Sequence, residues 1–506
     1  MLFYVASSIF LFLFYHLYWK RRNFPAGPIP LPFIGNVHQF YYYGFEEAIK
    51  KFHNTYGDLH TIWFGDTPVV SVNDFPTIVE KFVKNGDSVS GREESTLFLE
   101  VTKNGPYGIT FIDGPLWKEQ RKFGLKTLRD LGMGKDVMQE KVLHEVSCLL
   151  DEVKDNLKCN NNVISMQNLI DQAVGSVINS IVLGYRFDKE NESDFYKLKH
   201  HIETVFHLYG HPLWKILENS PKFYRYLPFF NPVYKNMKNA CDSMREFLES
   251  QIQKHRNEIN LDGKNMGEPK DYVEAFLQQQ YKMKQEEITD HYYTDEQLYG
   301  AVWDLWSAGQ ETTSTTLAWL VYYVTYFADA QSKIHEELDK VIGSDRLVTM
   351  NDKPNLPYIN AVVNESQRRG NIGPINLFHR TLEDIEIRGH KIRKNITIVD
   401  NFATVMMDKR YFDNPDKFDP SRFIDENGKF VTKPEVFPFG IGKRACLGEG
   451  LARMELFLFT ANIFNQLKLT QNPTKSLSTK RIEGGTILPE TYLATFKSAF
   501  LELEQF

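Results

Sequence analysis

Cysteine is scarce in this chain. Only four occur in 506 residues: Cys148, Cys159, Cys241 and Cys446. That number, so widely scattered, does not make a disulfide framework, and reduced thiols are expected. An excess of positive charge is missing as well. Lys and Arg total 59 against 65 Asp and Glu, a net charge of −6, so binding to nucleic acid is not expected. There is no internal repeat, no long low-complexity tract, and no glycine-rich dinucleotide or flavin fingerprint. The N-terminus lacks both the basic leading segment and the small-residue cleavage site of a secretory signal.

What the N-terminus does have is a long apolar run. Residues 1–19 are almost wholly aliphatic or aromatic, interrupted by Ser7, Ser8 and His16, and are followed by Lys20, Arg21 and Arg22. Nineteen residues is near the minimum for a helix crossing a bilayer. Positive charge after the run is expected to keep that flank in the cytosol. Residues 1–19 therefore read as a transmembrane anchor. Residues 20–36, with Pro25, Pro28, Pro30 and Pro32, read as a basic, proline-rich hinge of stiff extended chain. The remainder, 37–506, is the body. Sequons at Asn191, Asn364 and Asn395 stay bare if the body is cytosolic.

Within the body, residues 57–73 alternate around the turn Gly65-Asp66 and read as a hairpin. From about 116 to 330 the pattern is mostly helical. Residues 259–270 read as an exposed loop, 383–400 as short strands, and the C-terminal stretch as strands around Gly484-Gly485. Thr294-Asp295-Glu296-Gln297 is a capping box opening a helix of about 34 residues, roughly 50 Å long.

One short run carries most of the chemistry. Phe439-Gly440-Ile441-Gly442-Lys443-Arg444-Ala445-Cys446-Leu447-Gly448 sets a lone cysteine among glycines, just ahead of an apolar helix at 451–464. Gly442 and Gly448 permit close backbone approach, and the following helix N-terminus favours a thiolate. Such a sulfur suits haem iron, where thiolate ligation favours O–O cleavage. Arg444 suits a propionate, because a guanidinium forks onto a carboxylate. Phe439 is placed to shield the sulfur. A lone cysteine of this kind is otherwise a buried free thiol.

The run resembles the haem-binding signature F-x-x-G-x-R-x-C-x-G of the cytochrome P-450 family, the haem-thiolate monooxygenases. Ala308-Gly309-Gln310-Glu311-Thr312-Thr313 is similar to the family's A-G-x-[DE]-T-T on the helix over the haem. Glu365 and Arg368, with Arg422 in Phe418-Asp419-Pro420-Ser421-Arg422-Phe423, are similar to its structural ion triad. Although length alone suggests two to four domains, the resemblance implies one large, mainly α body with small β-sheets (α+β), the cytochrome P-450 fold, at 37–506. It is closest to the animal microsomal class acting on drugs, fatty acids and steroids.

The resemblance implies haem b with Cys446 as axial ligand. It places Arg92, Trp117, Arg121, His379 and Arg444 on the propionates, and Ala308 and Phe439 against the haem. Phe378, which stands where near relatives often have proline, bears on the path of the His379 loop. Glu311 and Thr312 are the expected proton-delivering acid and alcohol. Phe111, Ala308, Ile375 and Ile487 are the expected pocket residues, although core packing accounts for them equally well. The implied partners are an NADPH-dependent flavoprotein reductase, cytochrome b5, dioxygen and a lipophilic substrate, at the endoplasmic reticulum membrane with the body cytosolic. Lys118, Lys122, Lys126, Arg129 and Lys443 form either a face for an acidic electron donor or a solvated surface. The alternatives are a haem-thiolate isomerase or peroxygenase, and a haem-binding carrier or sensor without enzymatic activity.

Overall fold

The computed structural model describes residues 1–506 except 94, 159–162, 260–266, 374, 473–476, 491–493 and 499–506. Cys159, most of the loop expected at 259–270 and the last residues of the chain lie outside the described residues.

The body is mainly helical with small sheets. Helix α1 (Leu2–Leu17) buries none of its residues. With the single turn after it, Leu2–Arg21 is long and apolar enough to cross a membrane, with mean hydropathy 1.5. The proline-rich segment is extended but does not stand free. Pro25, Gly27, Pro28 and Pro30 are buried, and the Thr61 N–H donates to Ala26 O. A Cβ on Gly27 would lie 2.0 Å from Thr61 O, so glycine permits this approach.

The main sheet has five strands: β1 (Leu59–Phe64), β2 (Thr67–Val72), β3 (Gly91–Arg92), β4 (His379–Arg380) and β5 (Thr397–Asp400). Their spatial order is β1-β2-β5-β4-β3, with β2 and β5 parallel and the other pairs antiparallel. The β1–β2 hairpin turns at Gly65-Asp66, as its pattern predicts. Its alternation does not mark a solvent face, however, because His60, Thr61 and Ser71 are buried too. Ile62, Phe64 and Val69 pack against a helix on one side, while Val70 and Val72 pack with Phe82 and Ile398 on the other.

Seven further helices position the site: α2 (Gly114–Asp130), α3 (Met166–Val182), α4 (Glu192–Gly210), α5 (Pro212–Asn219), α6 (Asp295–Tyr326), α7 (Pro357–Gly370) and α8 (Glu449–Gln466). Helix α6 runs through the centre and is buried over most of its length, which is why its sequence shows no single apolar stripe. Thr294 caps it by accepting from Gln297 N–H at 3.2 Å. The other half of the expected capping box is diverted. The Gln297 amide instead exchanges two hydrogen bonds with the Gly108 backbone, at 3.0 and 2.7 Å, which satisfies that buried backbone.

Helix α3 crosses α6 closely. A Cβ on Gly309 would lie 2.7 Å from Ile178 Cδ1, and one on Gly175 would lie 2.8 Å from Gln310 Oε1. The mid-helix Gly309 is therefore required here by packing against α3.

Candidate functional site

The cysteine loop is shaped by two glycines. Gly440 and Gly442 both have positive φ, +67° and +75°. A Cβ on Gly442 would lie 2.0 Å from Phe82 O. Gly448, expected to share this role, has φ −92° and open space around it. Its N–H lies where it draws the Cys446 thiol down and so favours the thiolate. Cys446 N–H donates to Phe439 O at 2.9 Å and closes the loop. Burial pushes the thiol up, while the Gly448 N–H and Arg121 draw it down. The Arg453 guanidinium lies 4.8 Å from the Phe439 ring centre.

Cys446 keeps accessible surface within this loop. So does one stripe of α6. Among buried neighbours, Leu305, Ala308, Gly309 and Thr312 carry accessible surface, a spacing that defines one helix face. The Thr312 hydroxyl donates to Ala308 O at 2.6 Å.

Glu311 points elsewhere. It is fully buried and accepts from Lys199 Nζ at 2.9 Å and from Thr486 Oγ1 at 3.3 Å. Successive helical side chains diverge by about 100°, and the expected acid and alcohol do not touch.

A cluster of cations flanks the cysteine loop. Arg92 on β3 stands opposite His379 on β4 in the sheet register. Arg92 donates to Thr110, Leu377 and Phe378 carbonyls through Nε and Nη1. Arg444 donates to Ser90 O and Ile112 O, each at 2.8 Å, through Nε and Nη2. It also stacks 3.7 Å from the Trp117 ring. Arg121, on the same face of α2 as Trp117, donates to Ala445 O at 2.6 Å. Phe378 does not displace His379, whose Nδ1 bonds Val89 O at 2.9 Å. The Phe378 ring packs against Phe64, 5.6 Å away.

These charges press on one another. Arg444 is pulled down to about 8 by burial and by Arg92 and Arg121, with Asp113 opposing. Arg92 is pulled down to about 10 by burial, with Arg121 adding to it. His379 is held well below its ordinary value by burial and Arg92. Among the described residues, Arg92 and Arg444 each keep one Nη without a protein acceptor. Guanidiniums crowded in this way fit a dianionic ligand, such as the two propionates of a porphyrin.

Glu365 and Arg368 on α7 are both fully buried and joined at 2.7 Å. Arg422 lies 3.5 Å from Glu365 and donates to Asn414 O at 2.9 Å. Phe111 packs edge-on to Phe98 and Tyr209, at 5.1 and 6.0 Å. Ile375 is half-buried beside the main sheet. Ile487 has no accessible surface and packs in the core of α6, α7 and α8. Its neighbour Thr486 is the residue that reaches Glu311.

Residues 25–496 match the sequence model of the cytochrome P450 family. The chain belongs to the cytochrome P450 family. It is 32% identical over 484 residues to cytochrome P450 2C5 of Oryctolagus cuniculus, covering 94% of this chain and 96% of that protein. It is 34% identical over 499 residues to cytochrome P450 2C11 of Rattus norvegicus, covering 97% and 95%. Against cytochrome P450 2C8 of Homo sapiens it is 33% identical over 494 residues, covering 97% of each. As a member of the family it is an oxidoreductase, a haem-thiolate monooxygenase whose cofactor is haem b.

Two members of the site carry no family motif and escaped the sequence reading. Lys199 and Asp171 sit 112 and 140 residues before Glu311 in sequence. Asp171 is the one charge in α3, and Lys199 is one of several on α4; neither offers a local signal.

Proposed function

We propose that this protein is a membrane-bound monooxygenase that inserts one atom of dioxygen into a lipophilic substrate, a xenobiotic, fatty acid or steroid. Electrons come from NADPH through a separate flavoprotein reductase, with cytochrome b5 as a further donor. The observation that carries this reading is the family match over residues 25–496, supported by the accessible Cys446 on its loop, the accessible stripe Ala308–Thr312 on α6 and the guanidiniums of Arg92, Arg121 and Arg444 beside the loop. When bound, haem b supplies the oxygen-activating chemistry.

The roles of the chain's own residues follow. Cys446 would ligate the iron, and the Gly448 N–H near its sulfur favours the thiolate. Arg92, Trp117, Arg121, His379 and Arg444 hold the propionates. Phe439 excludes water from the sulfur. Thr312 holds a proton on the accessible stripe of α6, and Glu311, which does not touch it, replenishes it through water. Glu365, Arg368 and Arg422 brace the loop beneath. Phe111 and Ala308, with Ile375, present apolar surface to the substrate. Residues 1–19 anchor the protein in the endoplasmic reticulum membrane, 20–36 connect, and 37–506 form the catalytic body on the cytosolic side. The exposed row Lys118, Lys122, Lys126 and Arg129 on α2 meets an acidic donor.

Purified protein reconstituted with reductase and NADPH, screened by binding spectra against fatty acids, steroids and xenobiotics, tests the proposal. A spectral shift with turnover of the binding compound supports it. Haem-loaded protein that turns over none of the compounds that bind contradicts it.

A further inference from the structure

Glu311 is not left to solvent. It belongs to a buried cluster in which one ammonium serves three carboxylates. Lys199 Nζ lies 2.9 Å from Glu311, 3.3 Å from Asp171 and 3.4 Å from Glu203. Lys199, Asp171 and Glu311 are all nearly or fully buried, whereas the Glu203 side chain is 46% exposed. The cluster therefore runs from the surface of α4 to the acid beside Thr312. The close α3–α6 crossing creates it, because Gly175 and Gly309 let α3 approach until the Gln310 amide donates to Asp171 O at 3.1 Å. Gln167 donates to the Asp171 carboxylate at 2.9 Å.

We infer that Asp171 and Lys199 are positioning residues that supply Glu311 with protons, forming a relay that enters at Glu203 and ends at the α6 acid. The inference rests on the monooxygenase reading, in which Glu311 delivers protons to the cavity. One transfer balances without a further reactant. Lys199 gives a proton from Nζ to the Glu311 carboxylate as Asp171 gives its own proton to Nζ. The lysine begins and ends as ammonium, Asp171 ends ionised, and solvent reprotonates it at the Glu203 edge.

Three acids around one cation leave the cluster two negative charges in excess, which favours a shared proton. The charged and titratable groups facing Asp171 are Lys199, Glu203 and Tyr196 from α4 and Glu311 from α6, with the Ser314 hydroxyl beside them. Burial raises Asp171 to about 6, with Lys199 opposing and Glu311 and Glu203 adding to the rise. A relay acid works best with such a near-neutral value. Lys199 is itself held above its ordinary value by Asp171 and Glu311, against burial, and so stays charged.

The test uses the full-length holoenzyme with its reductase. Infrared spectra of wild type carrying isotope-labelled aspartate are expected to show a protonated carboxyl titrating near pH 6. That signal is expected to be lost in Asp171→Asn. In parallel, product formed per NADPH in the wild type is expected to fall as pH rises through this value, with peroxide rising. Asp171→Asn flattens that profile while keeping the thiolate-haem spectrum. Absence of the titrating signal from the labelled wild type overturns the inference without any variant. So does an Asp171→Asn enzyme with wild-type coupling and pH profile. If Glu311→Gln uncouples and Asp171→Asn does not, the relay falls while the monooxygenase reading stands. If Glu311→Gln stays coupled, the acid delivers no proton and the relay falls with it.

Discussion

At Gly442 the chain combines two constraints that no other residue type satisfies. Its φ is +75°, and a Cβ there meets a backbone carbonyl at 2.0 Å. Gly440 shares only the positive φ, with its nearest neighbour at 3.5 Å. Gly442→Ala is therefore expected to cost more than about 2 kcal/mol and to abolish haem incorporation. Gly440→Ala is expected to retain much of it, and the ratio of Soret to protein absorbance in the purified variants checks both. Arg444→Met removes a guanidinium that stacks on Trp117 and faces the propionate site. Haem transfer to an acceptor apoprotein is expected to accelerate roughly tenfold, the equivalent of about 1.4 kcal/mol for a charge-assisted bond. The cysteine loop was legible because its chemistry is packed into ten consecutive residues. Gly448 was misread because a glycine's φ is not written in its neighbours. Asp171 and Lys199 were illegible because only the packing of α3 and α4 on α6 brings them to Glu311.

Helix α6 packs most extensively against α3 and also meets α7 and α8. Gly309→Ala pushes a methyl against Ile178 and is expected to destabilise by about 1–3 kcal/mol. Ile178→Ala in the same chain is expected to recover part of that loss, and a double-mutant cycle of denaturant midpoints measures the coupling. On α8, Glu455 is buried, takes a hydrogen bond from Thr313 and is raised by burial to about 8 from an ordinary 4.5. The folded chain thus holds a proton that the unfolded chain releases between those values. The stabilising contribution is complete below pH 4.5 and is lost as pH rises to about 8. Glu455→Gln cannot lose that proton. It is expected to match wild type near pH 4.5 and to exceed it by roughly 2–4 kcal/mol near pH 8, as denaturation at both pH values would show. The long helix was legible from its cap, and the hairpin from its turn and alternation. The second half of the capping box was not, because Gln297 serves a loop nearly 190 residues away.

For the whole molecule, orientation and cofactor decide the account. Glycosidase treatment of membrane-derived protein is expected to leave its mass unchanged, with Asn191, Asn364 and Asn395 bare. A shift would place the body in the lumen. The helical character of 116–330 was legible in its pattern, but the fold of the body was legible only through the family resemblance, because a helix buried over most of its length, as α6 is, shows no single apolar stripe. The most direct test of the central claim is the absorbance of the reduced carbon-monoxide complex of purified wild type beside Cys446→His. The wild type is expected to show the red-shifted thiolate band, and the variant to lose it. Wild-type protein without porphyrin, or a variant whose band is unmoved, would contradict the assignment of Cys446 to the iron.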